Sequence, residues 1–136
     1  MAIDRTAIKA ANIDPTVKLV LAALADMIDP TSGLVTQITS TTTGVTLNAA
    51  SGIITTFSQS AAAGVSATFT VTNSKATAGG NIRAVVVDYA GVFTTNGLPV
   101  VAVDNRVAGA FDIVVSNAHS ANALSGALQI GFEIIS

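Results

Sequence analysis

His119 is the one histidine in the chain and there is no cysteine, so a transition-metal site would have to gather several carboxylates around that imidazole. Asp88, Asp104 and Asp112 are too scattered in sequence to define one. Nucleophilic catalysis needs a hydroxyl beside a base that a third group holds in place. Ser116, Ser120 and Ser125 are near His119, but none sits in a nucleophile-elbow motif. Carboxylate pairs for glycoside hydrolysis exist on paper, and no spacing favours one pair over another. Asn73-Ser74-Lys75 and Asp104-Asn105-Arg106 read as turn formers, whose side chains bond the local backbone. Gly79-Gly80-Asn81 lacks the spacing of a phosphate loop. The row Ser66, Thr68, Thr70, Thr72 could in principle face ice or sugar, and reads more simply as a solvated pleated face. The expectation is a chain that is not an enzyme, with no catalytic, cofactor-binding or metal-binding residues.

What would position these side chains is mostly β-structure. Phe111, Ile113 and Val115 alternate with Asp112, Val114 and Ser116; Leu128, Ile130, Phe132 and Ile134 alternate with Gln129, Gly131 and Glu133. Period-two alternation marks strands with one face on a core. Ala67, Phe69 and Val71 repeat it between hydroxyl residues. Ile53–Phe57 and Ala84–Val87 are apolar on both faces and need cover on both. Short strands are also expected at Val45–Leu47 and, opened by Pro99, at Val100–Val103, with turns at Asn48–Gly52, Asn96-Gly97 and Gly109. Seven or eight strands at short spacing predict a mainly β fold, a β-sandwich of jelly-roll or Greek-key type over residues 44–136.

Residues 1–43 read differently. After an arm without firm pattern, Asp14 and Pro15 form an N-cap and first-turn signal, and Asp29-Pro30 a stop. Between them, at about 15–29, Val17, Val20, Leu21, Leu24, Met27 and Ile28 share about a third of a helical circumference. Leu19 lies off that stripe, either as an exposed leucine or as a second subunit contact. A helix this short needs packing to persist in water. These seven residues are the expected subunit or partner contacts. Thr31-Ser32-Gly33 and Thr36–Gly44 read as a polar connector, with Leu34, Val35 and Ile38 as anchors.

Charged residues make up only 10% of the chain, against about 25% in typical soluble domains. With a mean hydropathy of +0.64, that scarcity predicts surface hidden against other chains. The net charge of −2 and six scattered basic residues argue against nucleic acid. The absence of Trp and a single Tyr, Tyr89, weigh against sugar and base-stacking sites. The longest apolar stretch, Leu19–Ala25, falls far short of the roughly 20 residues that span a bilayer. Ala23-Leu24-Ala25 mimics a signal cleavage site, but Asp4 and Asp14 precede it, and no signal peptide is expected.

Gly44-Val45-Thr46-Leu47-Asn48-Ala49-Ala50-Ser51-Gly52-Ile53-Ile54-Thr55-Thr56 resembles the opening of a small β-domain found in virion proteins of tailed bacteriophages. Phe69–Ser74, Val114–His119 and Ala123–Phe132 resemble later parts of the same pattern. The resemblance covers about residues 44–136. It implies a β-sandwich that decorates or cements the capsid exterior, often as a homotrimer, with the major capsid protein and its own copies as partners. It brings no catalytic residues and no cofactor. A tail or receptor-binding fibre module and a small sandwich-fold hydrolase or lyase are the alternative expectations.

Overall fold

The alternating runs do build strands, and their inward residues meet in one interior. The computed structural model describes residues 32–135. Eight strands follow in chain order: β1 (Ser32–Thr36), β2 (Val45–Thr46), β3 (Ser51–Thr55), β4 (Ser66–Thr72), β5 (Asn81–Tyr89), β6 (Pro99–Val107), β7 (Ala110–Asn117) and β8 (Leu128–Ile135). They form two four-stranded sheets, β1-β3-β8-β5 and β2-β4-β7-β6. The fold is mainly β, and no helix lies among the described residues. The helix expected at about 15–29, with Val17, Leu19, Val20, Leu21, Leu24, Met27 and Ile28, falls outside them.

β1 pairs with β3 in parallel, and β2 pairs with β4 in parallel. The chain thus coils from one sheet to the other and back before its antiparallel pairings begin. The segment Ser32–Thr36, expected as part of a connector, is therefore a strand. No turn announces it, because a parallel partner is reached only through a crossover. Gly33 and Gly52 face each other across this pairing. A Cβ on Gly33 would lie 2.5 Å from Leu47 Cδ1, and one on Gly52 would lie 2.7 Å from the Gly33 carbonyl oxygen. Both must be glycine for Leu47 to pack against the pair.

β7 and β8, the two best-patterned runs, are not partners. Each is a central strand of a different sheet. Phe111, Ile113 and Val115 on β7 and Leu128, Ile130 and Phe132 on β8 are all buried. Phe111 and Phe132 meet across the interior with ring centroids 5.7 Å apart. Phe69, Val71 and Ile54 join the same core cluster. Burial of a Phe side chain is worth about 3–5 kcal/mol in a well-packed core.

Asn117, 1% exposed, ties the loops at one end. Its Nδ2 donates to the carbonyls of Ala61 (3.0 Å) and Asn122 (2.8 Å). Its Oδ1 accepts from the amides of Leu98 and His119, each at 3.0 Å. A buried amide so placed uses its full complement of donors and acceptors.

Candidate contact face

Side chains on the outer faces of the sheets follow from the register. On the first sheet, Leu34, Ile53, Gly131 and Val85 stand in one row across β1, β3, β8 and β5. Leu34 is 79% exposed and Val85 60%. Ile54, next to Ile53, points inward and is fully buried. The strands read as apolar on both faces are so in fact: the inner side meets the opposite sheet, and the outer side carries this row.

The row is framed by polar neighbours. Two residues along each strand on one side stand Ser32, Ser51, Glu133 and Arg83. On the other side stand Thr36, Thr55, Gln129 and, three residues along β5 rather than two, Asp88. A bulge between Val86 and Asp88 inserts Val87, which is 52% exposed. A Cβ on Gly131 would lie 2.8 Å from Val87 Cγ2, so Val87 lies over the glycine. Ser51, Arg83, Val85, Gly131, Phe132 and Glu133 line a shallow depression beside the row.

The outer face of the second sheet is different. Ser66, Thr68, Thr70 and Thr72 are exposed along β4, as their alternation predicts. Thr70 Oγ1 donates to Asp112 Oδ1 at 2.7 Å, and Asn105 Nδ2 to Asp112 Oδ2 at 3.2 Å. The hydroxyls of Ser66 and Ser116 are 2.7 Å apart. Ala102 and Val114 lie between these polar groups.

The side chains singled out for chemistry do not converge. Asp104 and Asp112 are cross-strand partners on the second sheet, while Asp88 is on the first. Among the described residues, no three His, Cys, Asp or Glu side chains are grouped to hold a metal ion. His119 shapes a turn: its Nδ1 accepts from the amides of Ala121 (3.0 Å) and Asn122 (2.8 Å). Asn73 does the same through its Oδ1, which accepts from the Lys75 amide at 2.9 Å. Asp104-Asn105-Arg106, expected as a turn, lies instead within β6. There the register shifts between Asp104 and Val107, Asn105 takes φ +47°, and Arg106 Nη1 donates to the Gly80 carbonyl. The strand runs through because β7 continues to pair on both sides of the irregularity.

A further cleft is lined by Thr41, Thr42, Gln59, Ser60, Val65, Ser66 and Thr68. Gln59 Oε1 has no hydrogen-bond partner there, but less than 1 Å² of that atom is accessible, so it is sealed from anything entering the cleft. The cleft holds hydroxyls and no charged side chain.

Sequence reasoning identified the two-faced strands but not their shared row. Leu34, expected as an anchor, is the most exposed large apolar side chain among the described residues. The usable signal was the alternation Ser32, Leu34, Thr36 against Gly33 and Val35. No protein-family model, no curated protein and no solved structure matches this chain. The phage resemblance accordingly rests on its own motifs.

Proposed function

We propose that this chain is a structural protein that works by contact, with the outer face of the first sheet as the contact surface. The observation that carries this reading is the exposed apolar row Leu34, Ile53, Gly131 and Val85 on a chain with only 10% charged residues. Apolar surface of this kind gains free energy when another subunit removes it from water. The same reading takes the two sheets as a β-sandwich related to the jelly roll. In its support, β3-β8-β5 and β4-β7-β6 are antiparallel and alternate between sheets, with β6 and β7 as the hairpin.

The resemblance to virion proteins makes the partner a capsid. In that role the chain sits on the outer capsid surface, touches the major capsid protein, and stabilises the shell by bridging neighbouring subunits. It needs no active site for this.

The experiment is co-sedimentation of the full chain with empty phage shells that lack it, followed by thermal disruption of the shells. The expected result is that the chain pellets with the shells and raises their disruption temperature, while Val85→Asp stays in the supernatant. Equal binding by Val85→Asp, or no binding by the unaltered chain, would overturn the assignment.

A further inference from the structure

We infer that the outward edge of β1 pairs antiparallel with the same edge of a second copy of this chain, joining the two first sheets into one. The pairing uses the edge of that sheet and leaves its outer face, and so the proposed shell contact, uncovered.

The distribution of charge singles out this edge. Residues 32–74 contain no Asp, Glu, Lys, Arg or His. They hold β1 and β3, neighbours in the first sheet, and β2 and β4, neighbours in the second. Every charged side chain on the described strands stands on β5, β6, β7 or β8. Exposed strand edges are ordinarily blunted by charge, by proline, by a bulge or by extreme shortness. β5 carries Arg83, Asp88 and a bulge after Val86. β6 carries Pro99, Asp104, Arg106 and its own register shift, and β2 is only Val45–Thr46. β1 has no charge and no proline, and it keeps an unbroken register on β3.

Its backbone is laid out for a further strand. The Gln37 N–H donates to the Thr55 carbonyl at 2.8 Å. Backbone groups alternate between the two sides of a strand. Gly33 and Val35 therefore also face β3, and the N–H and C=O groups of Ser32, Leu34 and Thr36 point away from it. Among the described residues those groups have no partner.

A second copy is the occupant that this strand matches. Reversed about Leu34, Ser32-Gly33-Leu34-Val35-Thr36 sets Ser32 against Thr36, Gly33 against Val35 and Leu34 against Leu34. The outward-pointing residues meet only one another, so the Ser32–Thr36 and Leu34–Leu34 pairs exchange both of their N–H···O=C bonds. On the inner side a glycine faces a branched side chain; on the outer side hydroxyl lies by hydroxyl and leucine by leucine. A two-fold contact brings each patch against itself, so any charge near the axis meets its own copy. This edge escapes that repulsion. In the first sheet the nearest charged strand is β8, whose Glu133 stays roughly 24 Å from its copy at about 4.8 Å per strand. That is well beyond the screening length of about 8 Å. The row Leu34, Ile53, Gly131, Val85 then continues into the second copy, extending the apolar face.

The edge is narrow, since a strand of 5 residues is roughly 17 Å long. It falls well short of the about 800 Å² per partner of a standard interface, so the pair is weak and must be sought at high concentration.

The test is sedimentation velocity on the full chain over a concentration series, with amide hydrogen exchange followed on the same samples. The unaltered chain is expected to show a reversible monomer–dimer equilibrium. Exchange at Leu34 and Thr36 should slow as the dimer fills, while Val35, bonded to β3, is slow at every concentration. Thr36→Pro removes an N–H that β3 does not use and puts a ring where the second strand must approach. It should leave the circular dichroism unchanged and weaken the dimer about ten-fold or more. Val85→Asp, on the outer face, should leave the dimer intact. A chain that stays monomeric, a dimer indifferent to Thr36→Pro, or one abolished by Val85→Asp each overturns the proposal. Slow exchange at Leu34 and Thr36 at every dilution also overturns it, because the edge is then covered within one copy. Should the unaltered chain be monomeric while Val85→Asp loses shell binding, the edge pairing fails and the contact-face reading survives. Should the dimer behave as expected while Val85→Asp binds shells normally, the pairing stands and the capsid contact falls.

Discussion

The outer faces of the two sheets are each built from four alternating strands, yet they differ in character. One carries Leu34, Ile53, Val85 and Val87 over a glycine; the other carries Ser66, Thr68, Thr70 and Thr72 with Asp112. Thr70 and Ser66 already have side-chain partners on β7, and the remaining hydroxyls can be satisfied by water. Leu34 and Val85 gain nothing from water. The difference teaches that a strand's inward residues specify the fold, and its outward residues specify what the fold meets. Both sheets pass the first requirement, and the first presents the larger exposed apolar side chains, Leu34 at 79% and Val85 at 60%, against Val100 at 45% on the second.

This contrast can be broken or sharpened by substitution, and the largest effects are expected where the sheets do not differ. Phe111→Ala and Phe132→Ala each remove one ring from the shared interior, so each should cost about 3–5 kcal/mol in urea denaturation. A large loss for one and a trivial loss for the other would show that the sheets do not share a single core. Asn117→Ala strips the partners from the Ala61 and Asn122 carbonyls and the Leu98 and His119 amides, for an expected loss of about 2–4 kcal/mol. Its thermal midpoint should fall accordingly.

Smaller effects separate the outer faces. Gly131→Val drives a side chain into Val87 and should cost about 1–3 kcal/mol of stability, read by the same denaturation. An unchanged midpoint would mean that Val87 swings aside freely. Val85→Asp and Thr68→Asp should each alter stability by less than about 0.5 kcal/mol, since both sites are exposed. They part company in association: Val85→Asp should abolish binding to shells, and Thr68→Asp should leave it intact. If Thr68→Asp were the more damaging in co-sedimentation, the roles assigned to the faces would have to be exchanged.

Much of the strand content was legible because its signals are local. Phe111–Val115 and Leu128–Ile134 alternate so regularly that their buried faces follow from period two alone. Pro99 marks the start of β6, and Asn73 and His119 form turns, through local side chain–backbone bonds. β1 was not legible, since a five-residue strand containing glycine is held by a parallel partner reached through a crossover. Asp104-Asn105-Arg106 misled for the related reason that turn-forming residues also make bulges when a neighbouring strand keeps pairing.

The candidate face was half legible. Ile53–Ile54 and Ala84–Val87 declared that both their sides were apolar. Which of their residues would stand in one row, and beside which charges, depends on the register of four strands.

From the amino-acid order alone come the mainly β character, the inward sets on β4, β7 and β8, the scarcity of charge and the isolation of His119. These are properties of composition and of neighbours along the chain. Only the tertiary structure put β7 and β8 in different sheets, brought Gly33 against Gly52, and aligned Leu34 with Ile53, Gly131 and Val85. Strand pairing joins residues far apart in sequence, and a slip of one position would turn every side chain to the other face. A surface made from four such strands exists only once their pairing is settled.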